Sequence, residues 1–192
     1  MDTLTSTDQF LLDVERGVMR HGYTVIPVGY GGCSTPGCRC GPSADPWAYT
    51  VGFTTRGLPE LVITGATAEV CSWLVATVHS CHERGHRFVS GDRARFGTWR
   101  VQFEAVPIEW LMFDPNRMGT WFASYGPGRT DFDGIQIQQV LWAPPDEPLP
   151  SDPGAPRHVL DRQPRLSLDP YGYPARLVDR PRRRGARRPR DG

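Results

Sequence analysis

Apolar residues Phe10, Leu11, Val14 and Val18 recur at helical spacing, which predicts an amphipathic helix over residues 7–20, with Ser6, Thr7 or Asp8 as its cap and Gly22 as its stop. Residues 23–28 then turn β-branched. Pro27 among them cannot donate to a ladder, so this strand belongs at a sheet edge or ends there. Two further strands are predicted at 47–53 and 60–64, joined by the turn Thr54-Thr55-Arg56-Gly57. The main helix spans 66–84. Around Val78 as the centre of a buried stripe fall Val70, Cys71, Leu74, Val75 and Cys81, whereas Trp73 falls off it. After a polar loop through Gly91 and Asp92, residues 98–108 alternate as a strand with Trp99, Val101 and Phe103 on one face. A short helix is expected within 115–125. The last strand, 134–142, turns Ile135 and Ile137 one way and Gln136 and Gln138 the other. These elements predict an α+β fold: a single, mostly antiparallel sheet of about five strands with two or three helices.

The text changes after Trp142 to Ala-Pro-Pro-Asp-Glu-Pro-Leu-Pro-Ser-Asp-Pro, which reads as a linker. The predicted organisation is one domain over 1–150, carrying a Cys-rich loop at 29–46, and a disordered Pro/Arg-rich tail over 151–192. The near-neutral total charge hides an asymmetry along the chain. Residues 1–156 carry 11 arginines against 17 acids, and residues 157–192 carry 11 arginines against 4 acids. Lysine is absent, as expected of a GC-rich genome. The start MDTLTSTDQF has no basic n-region, and no apolar run approaches the ~20 residues that span a bilayer, so a cytoplasmic protein without membrane contact is expected.

Residues 47–53 (WAYTVGF), 57–65 (GLPELVITG) and 136–145 (QIQQVLWAPP) resemble the bacterial domain of unknown function 4262 family, common in actinobacteria, and the likeness spans about 22–150. The resemblance implies a shared fold and carries no activity. Relatives have a short acidic or polar connection where this chain has its cysteines, so a specialised role is expected in that loop and in the tail.

The loop holds Cys33, Cys38 and Cys40 within eight residues, with Gly37 and Gly41 giving the freedom that close ligands require. Three thiolates converging on one point are three of the four soft ligands of a tetrahedral Zn²⁺ site. The fourth lies among His21, Cys71, His79, His82 and His86, with His82 as the assigned ligand. His79, His82 and His86 follow i, i+3, i+7 spacing at the end of the main helix. Arg39, between two of the thiols, favours their thiolates, which suits a metal site and a redox switch alike. Cys71 and Cys81 read as small core residues.

In the tail, Arg180, Arg182, Arg183, Arg184, Arg187, Arg188 and Arg190 place seven guanidiniums in eleven residues broken by Pro and Gly. Such a segment holds polyanions by counterion release. No recognition helix accompanies it, so base-specific reading is not expected. The combined expectation is a non-enzymatic zinc-binding regulatory or adaptor protein that contacts RNA, for instance on the ribosome. A protein partner is not identified, and no catalytic residue is assigned. The competing readings are a thiol-dependent enzyme or redox switch using the Cys33, Cys38 and Cys40 cluster, and a metal-free interaction module working through Trp47, Tyr49 and Trp99.

Overall fold

The computed structural model describes residues 6–30, 46–113, 118–125 and 134–168. The elements are α1 (Ser6–His21), β1 (Thr24–Val28), β2 (Trp47–Val51), a 3₁₀ turn (Phe53–Arg56), β3 (Glu60–Thr64), α2 (Ala68–Glu83), β4 (Arg93–Phe96), β5 (Trp99–Val106), α3 (Ile108–Phe113), α4 (Gly119–Tyr125), β6 (Ile137–Ala143) and α5 (Arg157–Arg162). The strands form one sheet in the order β1-β2-β3-β6-β5-β4. All neighbours are antiparallel except β3 and β6, which are parallel. The α+β class is therefore as the pattern indicates, with one more strand. The extra strand is β4, whose Arg93 and Arg95 are exposed at the outer edge. Its polarity is that of an edge strand guarding against further pairing, and it reads as loop from sequence.

Both faces of the sheet are covered. On one, α2 contributes Cys71, Leu74, Val75, Val78 and Cys81 to a core with Ala48, Leu61, Ile63, Val101, Phe103 and Val140. Thr67 caps this helix by accepting from Val70 N–H at 3.3 Å. On the other face, Val14 of α1, Trp110 of α3 and Trp121 of α4 cover Trp47, Tyr49, Val51, Val62 and Ile137. Trp47 and Tyr49 are thus buried on the face opposite Trp99, and the three do not form one surface. Alternation within each strand causes the division: Trp47 and Tyr49 share one face of β2, and Trp99 of β5 stands with Val101 and Phe103 on the other face of the sheet.

All seven residues of β6 are buried, so Gln138 and Gln139 do not face solvent. A central strand covered on both sides finds most of its polar partners inside the protein, although Gln138 Oε1 has none among the described residues. Gln138 donates to Phe88 O at 2.8 Å. Gln139 donates to Pro164 O at 2.8 Å and accepts from Leu166 N–H at 2.9 Å.

Ordered structure continues beyond residue 150, where a tail is expected from sequence. Regular pairing of β3 with β6 ends at Val62↔Gln139, and Gln163 takes over the strand's role there. Its amide accepts from Trp142 N–H at 3.0 Å and donates to Trp142 O at 2.7 Å. The chain passes so close that a Cβ on Gly65 would stand 2.2 Å from Arg162 O. Arg165 then grips the buried Glu104 through Nε, 3.0 Å from each carboxylate oxygen, and Ser167 donates to the same group at 2.6 Å. Val159 and Leu166 are buried here, but side-chain amides and an ion pair fix the course of the segment and give it no apolar period, which is why hydrophobic patterning does not reveal it.

Removing the cation from a buried pair leaves an uncompensated carboxylate. Arg165→Met is expected to lower unfolding free energy by about 3 kcal/mol in urea denaturation. An unchanged midpoint would mean that 163–168 is not anchored through Glu104.

Candidate functional site

Two of the three segments that carry the family resemblance, 47–53 and 57–65, meet in one turn. Between β2 and β3 the chain must reverse within eight residues, and the side chain of Glu60 holds the reversal from inside. Its Oε1 accepts from Gly52 N–H (3.1 Å), Thr54 N–H (2.9 Å) and the Thr54 hydroxyl (2.9 Å), while Oε2 accepts from Thr50 Oγ1 at 2.6 Å. Thr50 Oγ1 in turn accepts from Leu61 N–H at 2.8 Å. Glu60 is fully buried. Burial pushes its carboxyl above the ordinary value, and the four donors pull it back part of the way. Gly52 is required at the bend: its φ is +122°, and a Cβ there would lie 3.0 Å from Gly22 O and from Val18.

Two groups hang from this turn, one on each face. Trp121 Nε1 donates to Thr54 Oγ1 at 3.3 Å. On the α2 face, Phe53 touches His79 and His82 at ring distances of 5.9 Å each. Arg56, at the end of the turn, donates from Nη1 to His79 Nε2 at 3.0 Å and pairs through Nη2 with Glu83. An imidazole nitrogen that accepts from a guanidinium is unprotonated. Partial burial lowers the pKa of His79, Glu83 opposes this, and Arg56 adds to it. The hydrogen bond and charge of Arg56 hold Glu83 below the usual carboxylate range. The arrangement is an Arg–His–Glu group at the surface, its imidazole half-buried on a fixed floor.

His82 is buried at 4% exposure. Its Nδ1 stands 2.9 Å from His86 O, so Nδ1 carries the proton and Nε2 presents a bare lone pair. That lone pair is sealed beside Phe53 and Phe88, with no partner among the described residues. Burial lowers the His82 pKa, with Arg87, His79 and Arg56 adding to the effect. The tautomer is that of a metal ligand, with the second nitrogen tied to a carbonyl. Its place in the fold is less favourable.

Cys33, Cys38 and Cys40 lie outside the described residues, as do Arg180, Arg182, Arg183, Arg184, Arg187, Arg188 and Arg190. The described ends of the Cys-bearing segment are nevertheless fixed. Tyr30 OH donates to Ala66 O at 2.7 Å and stands 3.2 Å from Cys71 Sγ. Pro46 O accepts from Gly65 N–H at 3.0 Å. Both ends therefore sit at the N-terminal end of α2. His82 is eleven residues further along that helix from Cys71, a rise of about 16 Å. Burial pushes the Cys71 thiol up to about 11. Among the described residues no group of three His, Cys, Asp or Glu side chains could hold a metal ion. Sequence reading missed Glu60, whose role depends on four donors that only the folded turn assembles.

The chain belongs to the family described as Domain of unknown function (DUF4262), whose profile matches residues 17–156. The matched region contains the whole sheet and ends just before α5. No curated protein and no solved structure matches the chain. No described helix is long and apolar enough to cross a membrane.

Replacing Glu60 with Ala orphans two backbone N–H groups and two hydroxyls, and Glu60→Ala is expected to cost at least about 3 kcal/mol of stability. Glu60→Gln keeps an acceptor for three of the four donors and should cost less. The folded carboxyl titrates above its unfolded value of 4.5, so the wild type loses stability as pH rises from there through the raised value. Its advantage over Glu60→Gln should accordingly shrink with rising pH in denaturation series. A pH-independent difference would contradict the burial effect.

Proposed function

For a member of a family without an assigned activity, we propose a non-enzymatic adaptor role in which Cys33, Cys38 and Cys40 hold Zn²⁺ and the arginines of 180–190 contact RNA. The fourth zinc ligand is Cys71. The observation that supports this is that the described ends of the Cys-bearing segment, Tyr30 and Pro46, are bonded at Gly65 and Ala66 beside the Cys71 thiol, about 16 Å along α2 from His82. Binding Zn²⁺ would require Cys71 to lose its proton, and the metal's charge favours that loss. Zinc then crosslinks the segment to the start of α2 and fixes a surface at that end of the sheet. Neither described thiol suits nucleophilic or redox chemistry, since Cys71 and Cys81 are both buried.

Protein purified without a metal-binding tag should contain about one zinc per chain by elemental analysis. Cys38→Ser and Cys71→Ser should each lose it with the circular dichroism of the domain retained, and His82→Ala should keep it. Zinc retained in Cys38→Ser would overturn the site. Zinc lost only in His82→Ala among the α2 variants would move the fourth ligand to the far end of the helix. A zinc-free wild type with one fast-labelling thiol among Cys33, Cys38 and Cys40 would support thiol chemistry instead.

If all seven arginines contact phosphates, affinity for an unstructured RNA should fall with salt at a log–log slope of about −5. A slope near zero would remove the RNA contact from the proposal.

A further inference from the structure

Four side chains form a ladder on the α2 face of the sheet. The guanidinium of Arg162 lies 4.9 Å from the centre of the Trp142 ring. Trp142 meets Trp99 at 5.4 Å with a tilt of 37°, and Trp99 meets Trp73 at 5.7 Å with a tilt of 56°. The inner end is rigid. Trp142 is buried, and its Nε1 donates to Thr64 O at 3.0 Å. The outer end is open, because Trp73 of α2 is 40% exposed.

Trp73 does not stand alone on its helix face. At 100° per residue, Thr77, Ser80 and Arg84 follow it along one stripe of α2, with Ser80 and Arg84 exposed. Arg84 Nη1 donates to Ser80 Oγ at 2.7 Å, which holds the guanidinium along the helix. Glu69 stands one turn on the other side of Trp73. The stripe therefore runs from an acid, through an aromatic ring backed by two more, to hydroxyls and a cation. A planar group stacked on Trp73 with its negative charge directed toward Ser80 and Arg84 matches this order, and a nucleotide has both parts.

We infer that Trp73, supported by Trp99 and Trp142, is a stacking platform for unpaired bases of single-stranded RNA, with Arg84, about 16 Å further along the helix axis, receiving a phosphate of a following nucleotide. This rests on the RNA contact proposed above and adds to it where the body of the protein meets the strand. Stacking tolerates any base, since each has a π-face, so the platform gives affinity for unpaired RNA without sequence reading. Duplex RNA, whose bases are already stacked, gains nothing from it.

The test is titration of the full chain with a short oligoadenylate, read by tryptophan fluorescence and by anisotropy of a labelled strand. Binding should quench the tryptophans. Trp73→Ala should weaken affinity at least about fivefold, and Trp73→Phe should restore most of it. The salt slope of Trp73→Ala should stay that of the wild type, because the lost contact is not ionic. Duplex RNA should bind both proteins equally. Equal oligoadenylate affinity in Trp73→Ala and wild type would overturn the platform while leaving the RNA reading intact. A wild type that binds no oligoadenylate would overturn both.

Discussion

The buried carboxylate of Glu60 is the constraint on which the rest of this domain depends. A β2–β3 reversal without a tight two-residue turn leaves backbone donors at Gly52 and Thr54 pointing inward, where water cannot reach them. Glu60 accepts both, together with the hydroxyls of Thr50 and Thr54. One side chain thus replaces a stretch of ladder. Because Phe53, Thr54 and Arg56 are placed by that turn, the packing on both faces follows from it. Trp121 is tied to Thr54 on one side, and His79 and His82 pack on Phe53 on the other.

A second constraint acts at the opposite end of β3, where pairing with β6 stops and side chains continue it. Gln163 bonds the Trp142 backbone as a neighbouring strand would, and Gln139 holds the chain at Pro164 and Leu166. The family match ends at 156, yet residues 157–168 complete the polar half of the sheet through Arg165 and Glu104. The arginine-rich segment therefore follows a fixed point on the sheet, at Ser167.

Elements with an apolar period were legible in the sequence. The stripe of α2 and the exclusion of Trp73 from it followed from helical geometry alone, as did the edge position of β1 from Pro27. Elements held by polar side chains were not legible. Gln136 and Gln138 read as a solvent face, and Gln136 is exposed, but Gln138 is buried against Phe88, 50 residues away, and its neighbour Gln139 is held by Leu166, 27 residues away. Trp47, Tyr49 and Trp99 read as one aromatic surface because sequence does not say which strands share a face; alternation sends Trp47 and Tyr49 under α1 and α4. For the proposed metal site, the spacing of Cys33, Cys38 and Cys40 was legible, whereas the choice of a fourth ligand rests on topology. The antiparallel run of β1 along α2 puts Tyr23 beside His79 and Tyr30 beside Cys71, and this separates His82 from the segment's ends.

The proposed zinc ion is bound by four thiolates, three from one short segment and one from α2. X-ray absorption at the zinc edge of the full chain reads the ligand atoms directly. Four thiolates give a single shell of four sulfurs at about 2.3 Å. A shell that includes nitrogen or oxygen at about 2.0–2.1 Å would contradict it, because Cys71 would then not be the fourth ligand.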